Sequence, residues 1–195
     1  MELMKFRLSF LVAFSCGFGY LLAGKSNTDW GLLFLVSLGG FLVSGGSIVI
    51  NQIIERKIDL KMDRTKNRPL PTSRVSVFEA LVLSTLSASS GLVLLWMISN
   101  PLTVFLSFVS LVLYGFVYTP LKRVGPVAVF VGAIPGALPP LLGWVAATGV
   151  ISHEALIIFG IQFIWQFPHF WAIAWLAYDD YKKVGIKLLP AKGEK

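Results

Sequence analysis

Charge is scarce in this chain: only 14% of its 195 residues are Asp, Glu, Lys or Arg, against about 25% in soluble domains. A soluble globule is thereby disfavoured. Cysteine is rarer still, with Cys16 alone, so an internal disulfide is excluded. Lying in an apolar run, that thiol reads as packing rather than redox chemistry. No polar stretch is long enough for a separate soluble domain, and no small-residue cleavage site follows the first apolar run, so that run reads as a permanent helix rather than a removable signal. An Arg- and Ser-rich leader is also missing, which favours a bacterial plasma membrane over an organelle. Acidic residues number 10 against 17 basic ones, a net charge of +7. A nucleic-acid binder of that basicity would not bury most of its length in uncharged runs, so no nucleic-acid partner is expected.

What the chain has is hydrophobic length, with 55% apolar residues and a mean hydropathy of +0.75. Charge-free runs cover residues 8–24, 30–54, 80–98, 102–118, 124–148 and 156–177, about six spans by the length needed to cross a bilayer. The expected fold is therefore an all-α, polytopic transmembrane bundle. Basic residues test this topology. Lys5 and Arg7 precede the first run, Arg56 to Arg74 follow the second, Lys122 and Arg123 the fourth, and Lys182, Lys183, Lys187, Lys192 and Lys195 the sixth. Only Lys25 falls in an opposite loop, which places both termini on the cytoplasmic side.

Acidic residues share those basic loops in a pattern. Asn51, Glu55 and Asp59 recur four apart at the end of the second run, with Asp63 following, so a helix would carry the first three on one face. Oxygen ligands of this kind suit magnesium shared with substrate phosphates. A solvated, mixed-charge helix end is the plainer alternative. Arg64 and Arg68 come next, with planar donors matched to phosphate oxygens, and Asp179, Asp180 and Lys183 repeat the juxtaposition after the sixth run. Two carboxylate clusters on one membrane face predict two metal positions across a shared cavity. Lys122 and Arg123 fit topology and phosphate contact equally.

These residues resemble the UbiA-type intramembrane prenyltransferases, most closely the members that act on haem. The carriers are Asn51-Gln52, Glu55 and Asp59; Arg64-Thr65 with Arg68-Pro69-Leu70; Tyr118-Thr119-Pro120-Leu121-Lys122-Arg123; Gly132 to Ala137 with Pro139-Pro140-Leu141 and Gly143-Trp144; Trp165-Gln166-Phe167-Pro168-His169-Phe170; and Asp180-Tyr181 with Gly185 and Leu189-Pro190. Lys5-Phe6-Arg7 is similar to the family's Lys-Pro-Arg, with Phe6 in place of proline. Gln52 and Glu55 depart from the commonest acidic pattern and match the haem-directed variant.

The resemblance implies one membrane prenyltransferase domain over residues 1–195, lacking the C-terminal helices of a nine-helix fold, as a fragment, a truncated product or a chain completed by a partner. It implies transfer of farnesyl from farnesyl diphosphate to a vinyl group of haem B, with haem as substrate and Mg2+ as cofactor. Asn51, Glu55, Asp59 and Asp180 would be catalytic, and Asn51, Glu55, Asp59, Asp63, Asp179 and Asp180 would hold metal. Arg64, Arg68, Lys122, Arg123 and Lys183 would bind diphosphate. His169 either faces haem or hydrogen-bonds a neighbouring helix. Pro135, Pro139 and Pro140 should bend or break the fifth span and mark a cavity wall. Two other readings stand: transfer to an aromatic quinone precursor, and a non-catalytic haem- or isoprenoid-binding protein.

Overall fold

A chain with so few polar side chains satisfies its backbone in lipid only by closing hydrogen bonds within helices. The computed structural model describes residues 2–24 and 28–190, so Lys25, Lys192 and Lys195 lie outside the described residues. The helices are α1 (Phe6–Gly24), α2 (Trp30–Asp59), α3 (Val77–Ile98), α4 (Pro101–Leu121), α5 (Val127–Thr148), α6 (His153–Leu176) and the short α7 (Tyr178–Val184). Among the described residues, 6 of these are long and apolar enough to cross a membrane. The protein is an integral, multi-pass membrane protein.

Local chemistry sets the turns. Asp29, Ser76, Asn100 and Ser152 accept from the first-turn amides of α2, α3, α4 and α6, and Gly149 ends α5 with a left-handed φ of 78° that suits glycine. The Asn100 amide also donates to the Val145 carbonyl (2.8 Å), fastening the α3–α4 corner to α5.

α5 is the central helix: 72% of its most apolar window is buried, against 6% for α6, which leaves most of its surface exposed. α1 lies on α5 at backbone contact distance. A methyl group at Gly19 would strike the Pro140 carbonyl, and one at Gly143 the Cys16 carbonyl. Cys16, Tyr20, Val36, Leu138, Leu141 and Val145 pack around this crossing.

α5 is not broken at its prolines: it runs as one helix through Pro135, Pro139 and Pro140, and Pro135 and Pro139 line a cavity. Pro140 has no N–H for the Gly136 carbonyl four residues earlier. That carbonyl accepts instead from Gln166 Nε2 of α6 (3.2 Å), as membrane burial requires.

α2 has 30 residues, about 45 Å of helix, whereas the hydrocarbon core spans about 30 Å. Its last turns therefore rise clear of the apolar layer on the side carrying the 61–76 loop, the end of α4, and α7. There the Lys187 amide donates to the Lys122 carbonyl (3.3 Å), and Ile58, Met62, Tyr118, Ala128, Ile186 and Leu188 bury one another.

Candidate functional site

Their four-residue spacing, close to one helical turn, brings Asn51, Glu55 and Asp59 to nearly one face of α2, and all three are buried. α4 meets that face with its helix widened to a π-turn over Leu113–Tyr118, a distortion frequent at functional sites. The widening lets Thr119 Oγ1 donate to the Tyr114 carbonyl (2.9 Å) while accepting from Asn51 Nδ2 (2.9 Å). Asn51 Nδ2 also donates to Glu55 Oε2 (3.0 Å). Lys122 then closes on both Glu55 oxygens at 2.9 and 3.1 Å, with its ammonium 4.8 Å from the Tyr118 ring centroid. Arg68 reaches back from the loop to Asp59 Oδ2 (2.7 Å). The Thr65 hydroxyl donates to the Asp59 carbonyl (2.8 Å), fixing the turn that delivers Arg68.

These groups form the polar end of a cavity of about 510 Å³. Its remaining wall is Leu8, Leu11, Val12, Val43 and Leu111 on one side, with Gly132, Pro135, Gly136, Gln166 and His169 on the other. A carboxylate-and-cation head on an apolar body fits an amphiphile with an anionic head. Asp59 Oδ1 is buried without a hydrogen-bond partner among the described residues, a vacancy in its bonding that a hard cation would fill. Asn51, Glu55 and Asp59 offer oxygen donors only, so the residues present fit magnesium. Among the described residues, no three His, Cys, Asp or Glu side chains converge closely enough to hold a metal by themselves; substrate oxygens would have to complete the shell.

The profile of the UbiA prenyltransferase family matches residues 12–194. The chain belongs to that family. Among UbiA relatives, the protoheme IX farnesyltransferase of Cytophaga hutchinsonii is 52% identical over 191 residues, covering 98% of this chain and 67% of the relative. That of Christiangramia forsetii is 51% identical, covering 97% and 62%, and that of Flavobacterium johnsoniae 48%, covering 97% and 63%. The chain thus spans about two-thirds of their length. The UbiA fold is shared with solved structures. One of digeranylgeranylglyceryl phosphate synthase superposes with TM-score 0.82 at 23% identity, covering 98% of this chain and 67% of the other. A UbiA homologue from Archaeoglobus fulgidus bound to DMAPP and Mg2+ gives 0.73 at 22% identity, covering 95% and 66%.

The UbiA cavity gathers some of the expected site residues and leaves others aside. Asn51, Glu55, Asp59, Arg64, Arg68, Lys122 and His169 line it; Asp63, Arg123, Asp179, Asp180 and Lys183 are not among its lining residues. Asp180 spends its carboxylate on backbone: Oδ1 accepts from the Asp63 amide (3.0 Å) and Oδ2 from the Arg64 amide (3.1 Å), which together hold its pKa below the usual carboxylate range. Asp63 is exposed and held by Lys183 and Lys66, whose hydrogen bonds bring its pKa down to about 2. Asp179 is exposed. Lys5, Tyr114, Thr119 and Tyr181 line or build the same site and were not among the expected site residues. In the sequence Lys5 carried a signal as a basic residue at the edge of a span and as part of the Lys-x-Arg resemblance, and Thr119 only as a member of the Tyr118 to Arg123 block; neither pointed to a place in the site.

Proposed function

We propose that this chain transfers a farnesyl group from farnesyl diphosphate to a vinyl group of haem B, giving haem O. The observation that carries the reading is the juxtaposition of the Asn51, Glu55 and Asp59 oxygens with the Arg64, Arg68 and Lys122 cations at one end of an otherwise apolar cavity. The relatives named above support farnesyl and haem as the two substrates.

The chemical difficulty is charge. When the allylic carbon–oxygen bond breaks, diphosphate leaves with the electron pair and an allylic cation remains. Arg64, Arg68 and Lys122 lie where that growing negative charge would be neutralised by fixed donors. Mg2+, held by Asn51, Glu55 and Asp59 together with diphosphate oxygens, would supply further charge neutralisation there. Glu55 and Asp59, now paired to Lys122 and Arg68, would exchange those partners for the cation. The vinyl π pair of haem closes the new carbon–carbon bond. The resulting carbocation takes up water and loses a proton, leaving a hydroxyl. The apolar wall from α1 and α2 keeps water from the first cation until carbon has attacked it. His169, on the cavity wall, is the side chain suited to face the haem.

Residues 1–195 act in this reading as one membrane prenyltransferase domain, with both termini on the cytoplasmic side of a bacterial inner membrane because the basic loops fall there. The test is product formation in membranes containing this chain, supplied with haem B, farnesyl diphosphate and Mg2+. Extraction and mass analysis should find haem O, and Asp59→Ala should abolish it. Absence of haem O from the unsubstituted chain overturns self-sufficient farnesyl transfer.

A further inference from the structure

Lys5 faces two cavities. Beside the large one it borders a smaller cavity of about 300 Å³, which it walls with Arg64, Arg68 and Arg74 and in which Glu2 is the carboxylate. Two of these four cations are already matched, as is Lys122 of the large cavity. Arg74 pairs with Glu2 (3.1 Å), Arg68 with Asp59 (2.7 Å) and Lys122 with Glu55 (2.9 Å). Lys5 and Arg64 have no carboxylate within ion-pair distance among the described residues, and both stand on the wall common to the two cavities.

The segment carrying Lys5 is held firmly. Buried Gln52 donates from Nε2 to the Leu3 carbonyl and Ser9 from its hydroxyl to the Met4 carbonyl (2.7 Å). Between these two clamps Lys5 sits at a φ of 44°, a left-handed conformation that a lysine rarely adopts. Burial, followed by the charges of Arg68 and Lys122, pushes its ammonium down to about 8. The charges of Asp59 and Glu55 offset this only in part, and a desolvated cation without an ion-pair partner is costly unless an anion joins it.

We propose that the smaller cavity is a second oxyanion subsite, with Lys5 and Arg64 as its ligands, that takes a phosphate or carboxylate group without any metal. The two cavities differ in their carboxylates. The large one carries the buried Glu55 and Asp59 on its wall, whereas the smaller is lined by four cations and by Glu2 as its one carboxylate, which pairs with Arg74. The farnesyl-transfer reading, on which this rests only for naming the anion, offers two sources: the released diphosphate and the propionate carboxylates of haem.

The purified full chain in lipid nanodiscs, with EDTA present, is titrated with inorganic diphosphate and, separately, with haem B and its dimethyl ester, which lacks the free carboxylates. Lys5→Met should weaken diphosphate binding about tenfold or more if phosphate is the ligand. If carboxylate is the ligand, the same variant should erase the preference for haem over its ester. Lys5→Arg should restore whichever was lost, and Arg64→Gln should reproduce the loss. The inference is overturned if Lys5→Met and Arg64→Gln alter neither, or if oxyanion binding appears only with Mg2+ and vanishes in Asp59→Asn. Because binding is read without turnover, a chain that forms no haem O still gives a decisive answer.

Discussion

Two acid-rich segments of this chain look alike in sequence and do different work in the fold. Around Asn51, Glu55 and Asp59 the carboxylates are buried, aimed into the cavity and paired with cations from other elements. Around Asp179 and Asp180 they lie near the surface, and the carboxylate that makes a long-range contact holds backbone amides of the α2–α3 loop. The first set meets whatever enters the cavity; the second fixes the loop from which Arg64 and Arg68 reach it. Proximity of acids along a chain therefore says little about their role until burial and partners are known.

The sharpest way to break this contrast is Asp59→Ala. Arg68 would be left beside a cavity without its partner, at a stability cost of about 3 kcal/mol, and haem O formation should fall at least about 100-fold. Thermal unfolding and product assay read the two losses separately. Lys122→Met comes next, since it strands the buried Glu55 carboxylate; a destabilisation of about 2–3 kcal/mol, with Glu55→Gln in the same chain recovering most of it, would establish that the pair acts as a unit. Asp180→Ala should act at a distance: amide hydrogen exchange at Asp63 and Arg64 should speed up about tenfold as one hydrogen-bonded latch opens, with turnover reduced less than in Asp59→Ala. Equal losses in the two variants would place Asp180 at the chemistry instead.

The smallest effect belongs to Asp63→Ala, which should move the thermal midpoint by no more than about 1 °C because both partners are solvated. Its pH behaviour is more telling. With a pKa depressed in the folded state to about 2, chiefly by Lys183 and then Lys66, the link contributes above the ordinary carboxylate pKa near 4 and is lost as pH falls through about 2. Hydrogen exchange in the 61–66 loop of the wild type should accordingly rise as pH approaches 2, once corrected for intrinsic rates, whereas Asp63→Ala should be insensitive there.

Much of this architecture was legible because hydrophobic length and charge asymmetry are one-dimensional signals. The six runs anticipate the six spanning helices, and the four-residue spacing of Asn51, Glu55 and Asp59 anticipates their shared face. What escaped depends on groups far apart in sequence. The prolines of α5 suggest a break, yet the helix continues because Gln166 satisfies the carbonyl that Pro140 abandons. Asp180 looks like a metal ligand, and no local signal reports that its oxygens also accept from amides 116 and 117 residues away. Lys5 reads as a topology marker and as part of a family-like Lys-x-Arg, but nothing local reports that Gln52 and Ser9 fold its segment against α2 and α1.

The glycine-lined crossing of α1 on α5 bears on biosynthesis as well as packing. More than 100 residues separate Gly19 from Pro140, so α1 meets α5 only after α2, α3 and α4 have been made. Until then its small-residue face must rest against lipid or the insertion machinery. The cavity wall is consequently a late product of assembly, and a bulky residue at Gly19 or Gly143 should leave six inserted helices that never close around a site.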